Sequence, residues 1–401
     1  MNITRMRHID YFLGGAICLL LDVWERLRRS VLRRDVRRPE PRRVLVTKYL
    51  GMGSILLATP SLRALRTACP GCRIVLLTFE SNAAFARRIP LIDEVIAIRT
   101  TSLLRFGLDT VRILRYIRSQ CFDYVLDLEF FARFSTIMSY LSGAGCRVGY
   151  YLPQIWRGDL LDVPVHFNPY RHVSEIFAAQ LAVMGIKVDD FTITPPAVDT
   201  AASGRVEEVL ALAGVRKEDA IAVVNVNASD LSFERRWPRE HFVSLINALA
   251  CSSGARFVLV GSPDEGPYVA EVFAALSPAA RARTLNLAGE QTLDEFIALL
   301  SMGSVCITND SGPLHMAAAL GTRTFSFFGP ESPILYAPSG EGHTTFYAGI
   351  YCSPCLSVFN AKRAMCRGNN ICMQAISPEV ATCVIMGEIG KAPIRKTDEA
   401  A

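Results

Sequence analysis

Residues 305–330 read VCITNDSGPLHMAAALGTRTFSFFGP, and this stretch decides the fold. Val305 to Thr308 is a short apolar, β-rich run. Asn309 to Pro313 is dense in turn and capping residues. Leu314 to Leu320 has helical character, Gly321 stops it, and Thr324 to Phe328 is a second apolar run closed by Gly329-Pro330. The pattern predicts strand, tight loop, helix, strand. A loop that leaves the carboxyl end of a strand and enters a helix offers unpaired amides and the positive end of the helix dipole. Both favour an anion, and phosphate is the usual one. Asp310 or Ser311 can cap the helix, Pro313 suits its first turn, and Gly312 lets a ligand approach the backbone. An ordinary βαβ unit with a plain capped turn and a packed His315 has the same spacing, so spacing alone leaves ligand binding open.

Working outward, the same alternation recurs. Val44 to Thr47 predicts a strand, followed by the turn Lys48-Tyr49-Leu50-Gly51-Met52-Gly53-Ser54 and a helix over 55–68 that bends or restarts at Pro60. Strands are expected at 73–79, 94–99, 124–128 and 147–150, with helices at 110–119 and 133–142. Phe191 to Thr200, with Pro195-Pro196, reads as a connection. Beyond it helix 203–213, strand 220–226, helix 239–251, strand 256–260 and helix 293–302 lead to the opening stretch. Strand–helix alternation of this length means parallel, doubly wound sheets. The expected division is a helix and basic linker over 1–42, one Rossmann-like domain over 43–195, a second over 196–376, and a closing helix and tail over 377–401.

With 401 residues, half of them hydrophobic and a fifth charged, the chain can bury the cores of two ordinary domains. Its net charge of +5 is unevenly placed: residues 1–43 hold eleven Arg against five acids, a surplus of +6, leaving −1 for the rest. A nucleic-acid groove across the body is therefore not expected. Ile9, Phe12, Leu13, Ala16, Ile17, Leu20, Trp24 and Leu27 fall on one helical face. The uninterrupted non-polar run, Tyr11 to Leu21, covers roughly 17 Å against about 30 Å of bilayer hydrocarbon. This predicts a helix in the membrane interface rather than across it, with Arg26 to Arg43 suited to anionic lipid heads. The alternative is a helix packed on the protein's own body. As an anchor it is expected to be separable, so that deleting 1–40 leaves the body folded. Single cysteines such as Cys146, Cys251 and Cys306 read as small core residues. Cys352, Cys355, Cys366 and Cys372 form one cluster that could hold zinc or consist of free thiols.

The string DSGPLHMAAALGTRTFSFFGPESP closely resembles the nucleotide-sugar signature of glycosyltransferase family 9, the lipopolysaccharide heptosyltransferases. KYLGMGSILLATPSLRALRTACPGCRI resembles that family's amino-terminal signature, and FDYVLDLEFFARFS and HVSEIFAAQLAVMGI resemble further blocks. The resemblance implies a GT-B fold, two doubly wound domains facing a central cleft. It implies an inverting, metal-independent and cofactor-free transfer of heptose or a related sugar from an ADP-linked donor. The acceptor would be a lipopolysaccharide core or another glycan precursor at the cytoplasmic face of the inner membrane. Asp310, Ser311, Gly312, Pro313, Leu314 and His315 would line the donor site. Ser229 falls in the family's Gly-Ala-Ser-type loop, and Arg235 falls where a lysine contacts the phosphates. Glu265 would bond the ribose, with a helix-end charge as the plainer reading, and Gln291 sits in the loop near the base. Trp237 reads as core. Gly51, Gly53 and Arg133 would face the acceptor. One departure matters: Ser54 stands where the family has the Asp proposed as general base, and a serine hydroxyl cannot take up a proton that way. Ser54 can still hydrogen-bond the acceptor; the base is then elsewhere or absent, and Glu129 and Asp127, at a strand's carboxyl end, are the nearest candidates, with Glu129 the one chosen. Two rivals stay open, a sugar-nucleotide epimerase or hydrolase on the same fold and a non-catalytic binder.

Overall fold

The computed structural model describes residues 3–31, 39–228, 232–366 and 368–389. Ser229 and the arginines at 33–38 lie outside them. The chain divides into two units, Met1–Thr194 and Pro195–Ala401. The first holds β1 (Arg43–Thr47), β2 (Arg73–Phe79), β3 (Glu94–Ile98), β4 (Tyr124–Asp127), β5 (Cys146–Tyr151) and β6 (Val163–His166). They form one parallel sheet in the order β3-β2-β1-β4-β5-β6, with Val44 between Ile74 and Tyr124. The second unit holds β7 (Ile221–Asn225), β8 (Arg256–Val260), β9 (Thr284–Asn286), β10 (Val305–Asn309), β11 (Arg323–Phe328) and β12 (His343–Tyr347). Its parallel order is β12-β11-β10-β7-β8-β9. Both sheets reverse winding direction once, between β1 and β4 and between β7 and β10. Such a switch opens a crevice at the carboxyl ends of the flanking strands, where ligands of doubly wound sheets sit. The turn after β1 and the loop after β10 are therefore the two places to look.

Local sequence explains the elements. β7, β8 and β10 are apolar runs buried on both faces, as parallel strands require. The helix after β1 breaks into Met52–Leu57 and Thr59–Ala68, restarting with Pro60 in its first turn. Thr292 and Glu295 form a capping box on Leu293–Met302. Trp237 is core: it is fully buried, stacks on Phe327 at 4.0 Å and donates its indole N–H to the carbonyl of Ile376. Cys146 and Cys306 are buried, whereas Cys251 is exposed. The helix Pro378–Ile389 packs along Arg239–Ser252 within the second unit.

The amino-terminal helix differs most from expectation. It runs Ile3–Ile9, one wide turn at Asp10–Gly14, then Gly15–Val31. It packs on the first unit by its acids together with Met6, Ile17, Cys18 and Leu21. Asp10 accepts the backbone N–H groups of Arg133 and Phe134, at 3.0 and 2.7 Å, and so caps the helix Arg133–Leu141, whose own preceding residue Ala132 cannot. Asp22 accepts the N–H of Asp159 at 2.7 Å. Glu25 accepts from the Tyr140 hydroxyl and from Arg28 and Arg29. Two glycines permit the fit. A Cβ on Gly14 would come within 3.0 Å of the Arg133 side chain, and Gly158, at φ +77°, closes on Asp22 and the Cys18 carbonyl. The helix is thus held to the unit by side-chain to backbone bonds rather than joined to it only by a tether. A second apolar set, with Phe12, Leu20, Trp24 and Leu27, is left outward. No described helix is long and apolar enough to cross a membrane.

Candidate functional site

The second unit's site grows from strand ends that terminate in asparagine. Asn225 closes β7, and its Nδ2 donates to Thr308 Oγ1 at 3.0 Å and Ser311 Oγ at 3.1 Å. Asn309 closes β10, and its Nδ2 donates to the carbonyls of Val226 and Asn227, both at 3.1 Å. Its Oδ1 accepts the Trp237 N–H at 2.9 Å, which pins the segment carrying Arg235 to the end of β10. Each asparagine spans the switch point and fixes one flank relative to the other. Sequence reasoning missed both; the signal was an asparagine ending each apolar run, VVN and ITN.

On this frame Asp310, Ser311 and the helix Gly312–Ala319 form the loop. Ser311 occupies the cap position, yet no side chain caps the helix, because its hydroxyl is held by Thr308 and Asn225. The first-turn amides are therefore left to a ligand. Pro313 lies in that turn, Gly312 and Pro313 are half-buried, and Leu314 and His315 are buried. Arg235 Nη1 lies 3.2 Å from Asp310 Oδ2, with both side chains largely buried. Asn227 adds a buried Oδ1 with no hydrogen-bond partner among the described residues. A buried acceptor left unmatched is costly and marks a place for a donor from a ligand or water. Gly261, just past the end of β8, lets Asn227 lie close: a Cβ there would stand 2.8 Å from its Nδ2.

Glu265 lies beyond Gly261, where its Oε2 accepts the backbone N–H and hydroxyl of Ser262. This capping box is the helix-end role, and it also holds the carboxylate at the strand end. Gln291 is half-buried just before the capped helix at Thr292. A further layer lies behind Asp310. Buried Glu331 pairs with Lys362, whose ammonium lies 4.5 Å from the Tyr336 ring centre. Burial, and secondarily the nearby Asp310 charge, raises the Glu331 carboxyl. Nothing in the sequence reading had flagged this pair.

The first unit's switch point is built differently. Gly51, at φ +85°, turns the chain from β1 into the helix Met52–Leu57. A Cβ there would lie 3.3 Å from Ser54 Oγ, so the serine hydroxyl sits against the turn and Gly53 is buried beneath it. Glu129 does not stand as an open carboxylate at the strand end. Its Oε1 accepts Lys48 Nζ at 2.9 Å and the N–H groups of Tyr49 and Leu50 at 2.7 and 3.1 Å. It is 4% exposed. Three donors on one oxygen give this carboxylate a structural task in holding the turn. Asp127 is fully buried and bonded by Thr47, Ser135 and the Glu129 N–H. Desolvation pushes its carboxyl up to about 6 against the pull of Arg157 and Ser135. Arg133 is turned to the amino-terminal helix, its guanidinium 5.0 Å from the Tyr11 ring centre.

Cys352, Cys355, Cys366 and Cys372 are free thiols, and among the described residues no group of three or more His, Cys, Asp or Glu side chains is arranged to hold a metal.

Comparison with known proteins places this frame. The family model for glycosyltransferase family 9 (heptosyltransferase) matches residues 110–364. Lipopolysaccharide heptosyltransferase 2 of Escherichia coli K12 is 38% identical over 104 residues, a stretch that is 26% of this chain and 30% of that protein. The chain therefore matches under a third of that relative's length. The crystal structure of a family 9 glycosyl transferase from Veillonella parvula superposes with a TM-score of 0.70 at 19% identity, covering 89% of this chain and 99% of the other. E. coli ADP-heptose lps heptosyltransferase II superposes with a TM-score of 0.67 at 20% identity, covering 87% and 99%. These likenesses show the fold to be that of the GT-B-like heptosyltransferases.

Proposed function

Because the chain belongs to glycosyltransferase family 9, the heptosyltransferase family, we propose that it transfers heptose from ADP-heptose to a lipopolysaccharide-core acceptor with inversion and without a metal. The observation that carries the proposal is the uncapped helix start at Gly312, flanked by Arg235 and His315 at the β7/β10 switch point. It suits a diphosphate: amides and a guanidinium stabilise charge that grows on the leaving group as the glycosidic bond breaks. Arg235 then exchanges part of its bond to Asp310 for phosphate oxygens. Asp310 stays beside the sugar end of the donor, and Glu265 and Asn227 reach the nucleoside.

The first unit takes the acceptor at the Lys48–Ser54 turn. Ser54 hydrogen-bonds the acceptor hydroxyl, and Glu129 orients the turn through Lys48 and two amides instead of removing the proton. The acceptor is a glycolipid at the cytoplasmic face of the inner membrane, which agrees with the relatives named for lipopolysaccharide. Ser54 also supports a second reading, a non-catalytic protein that binds the nucleotide sugar.

Calorimetric titration tests the donor assignment. ADP-heptose and ADP should bind, and UDP-sugars should bind at least tenfold more weakly. Equal affinity for UDP-sugars would reject the adenine-nucleotide assignment, and no binding of either would reject the donor site.

A further inference from the structure

Two helices of the first unit share an unusual distribution of side chains. Along Ile3–Val31, the acids Asp10, Asp22 and Glu25 are all turned onto the protein, with Asp22 3% and Glu25 1% exposed. Along Leu103–Gln120 the one acid, Asp109, is likewise buried and paired with Arg99. What faces outward is apolar. On the first helix Phe12, Leu20, Trp24 and Leu27 are each more than 60% exposed; on the second Leu104 and Leu108 are 73% and 62% exposed and Val111 also faces out. The exposed charged residues among them are arginines, Arg5, Arg26 and Arg29 on the first, the last two also paired with Asp22 and with Glu25 and Asp159, and Arg105, Arg112, Arg115 and Arg118 on the second. An ordinary amphipathic helix packs its apolar stripe inward and solvates its acids; these two bury their acids and, beside the apolar residues they pack inward (Cys18 on the first, Ile113 and Ile117 on the second), carry a second apolar set outward.

The two helices are also neighbours of one element. Both pack on Arg133–Leu141, a helix with no exposed residue. Consecutive residues on that helix receive them: the Arg133 guanidinium lies over Tyr11, and Phe134 meets Phe106 with ring centres 5.0 Å apart. Met6 packs on the same apolar cluster as Phe106. The sequence after the first helix continues into Arg33, Arg34, Arg37 and Arg38.

We propose that Ile3–Val31 and Leu103–Gln120 together form a rigid platform that seats the first unit on an anionic bilayer, with their leucines and Trp24 in the interface and the arginines at the headgroups. Outward apolar area and cationic charge on two helices that flank one element, with the helices' own acids withdrawn, is the complement of an anionic lipid surface. The platform differs from a tethered anchor because Asp10, Asp22 and Glu25 fix the first helix to the domain. It therefore sets how the Lys48–Ser54 turn is held above the membrane, not merely how often the protein visits it. The inference rests on reading the acceptor as a membrane glycolipid.

The test uses the full chain with vesicles of phosphatidylethanolamine and phosphatidylglycerol, and vesicles of phosphatidylcholine for comparison. The expected result is sedimentation with the anionic vesicles, at least tenfold weaker with phosphatidylcholine, and quenching of Trp24 by brominated lipid in a Trp156→Phe background. The double variants Leu20→Asp/Trp24→Asp and Leu104→Asp/Leu108→Asp should each weaken vesicle binding at least tenfold. Both should keep the parent's melting midpoint and its turnover of a soluble, delipidated acceptor. Equal binding to both lipid mixtures, or undiminished binding by the Leu104→Asp/Leu108→Asp protein, would overturn the two-helix platform. So would a lipid-free dimer that either pair of substitutions dissolves, because the face would then cover a second copy. Loss of vesicle binding with soluble-acceptor turnover intact separates this platform from the transferase reading. Vesicle binding with no turnover would count against the transferase alone.

Discussion

Replacing Glu129 distinguishes a strut from a base. In the folded protein Glu129 Oε1 accepts from Lys48 Nζ and from two backbone amides, and the Lys48 and Glu129 side chains are each about 6% exposed. Glu129→Ala leaves a buried ammonium without its carboxylate, which costs about 3–5 kcal/mol. It also strips the Tyr49 and Leu50 amides of an acceptor, at about 1–3 kcal/mol each when left unmatched. These groups share one network, so the losses overlap, and a total of roughly 4–6 kcal/mol is expected. That is a large part of the 5–15 kcal/mol typical of a domain. Glu129→Gln keeps an acceptor oxygen and should lose about 2–3 kcal/mol, chiefly from Lys48. Adding Lys48→Met should restore most of that loss, since the unpaired ammonium is gone. Urea unfolding followed by fluorescence, beside turnover at a temperature where each variant is folded, reads both quantities. If Glu129→Gln stays within about 0.5 kcal/mol of the parent while turnover falls a thousandfold, Glu129 is the base after all and the strut assignment is wrong.

Arg235→Ala and His315→Ala should each weaken ADP binding by roughly ten- to a hundredfold, the worth of a hydrogen bond to a charged group; unchanged affinity in both would remove the donor loop from the account. Asp127 keeps its proton to about pH 6 when folded, against 3.8 in the unfolded chain. Between those values the folded state binds the extra proton, so this group's contribution falls as pH rises from about 4 to 6. The span is about 3 kcal/mol, and Asp127→Asn should flatten it in urea midpoints measured across that window. An identical slope in the variant would assign the dependence elsewhere. Asp10→Ala should cost about 0.5–2 kcal/mol by uncapping Arg133–Leu141, although the two residues are far apart in sequence; no change in melting midpoint would mean the helix end is satisfied without it.

The central strands were legible because both faces are buried. The apolar stretches inside Arg256–Val260 and Val305–Asn309 are unbroken, and turn residues leading into a helix follow each. The edges were not. Val163–His166 contains a proline and Thr284–Asn286 has three residues. His343–Tyr347 is half polar, which only an edge position permits. The donor loop was legible as a string, but the asparagines that brace it were not, since each makes its bonds to strands more than 80 residues away. Glu129 was read from topology, which put it at the right strand end but could not show that Lys48 occupies it. The amino-terminal helix shows the same limit from the other side. Its periodicity gave the apolar face, while the direction of that face depended on Asp10, Asp22 and Glu25 finding partners at 133, 159 and 140.

The most direct measurement is release of ADP from ADP-heptose by the purified chain, with and without a truncated lipopolysaccharide-core acceptor, with the product identified by mass. A heptosyltransferase predicts ADP release that requires the acceptor and one heptose added per ADP formed. Donor consumed equally well without acceptor would mean an epimerase or hydrolase, and tight donor binding with no release across a panel of core acceptors would mean a binding protein.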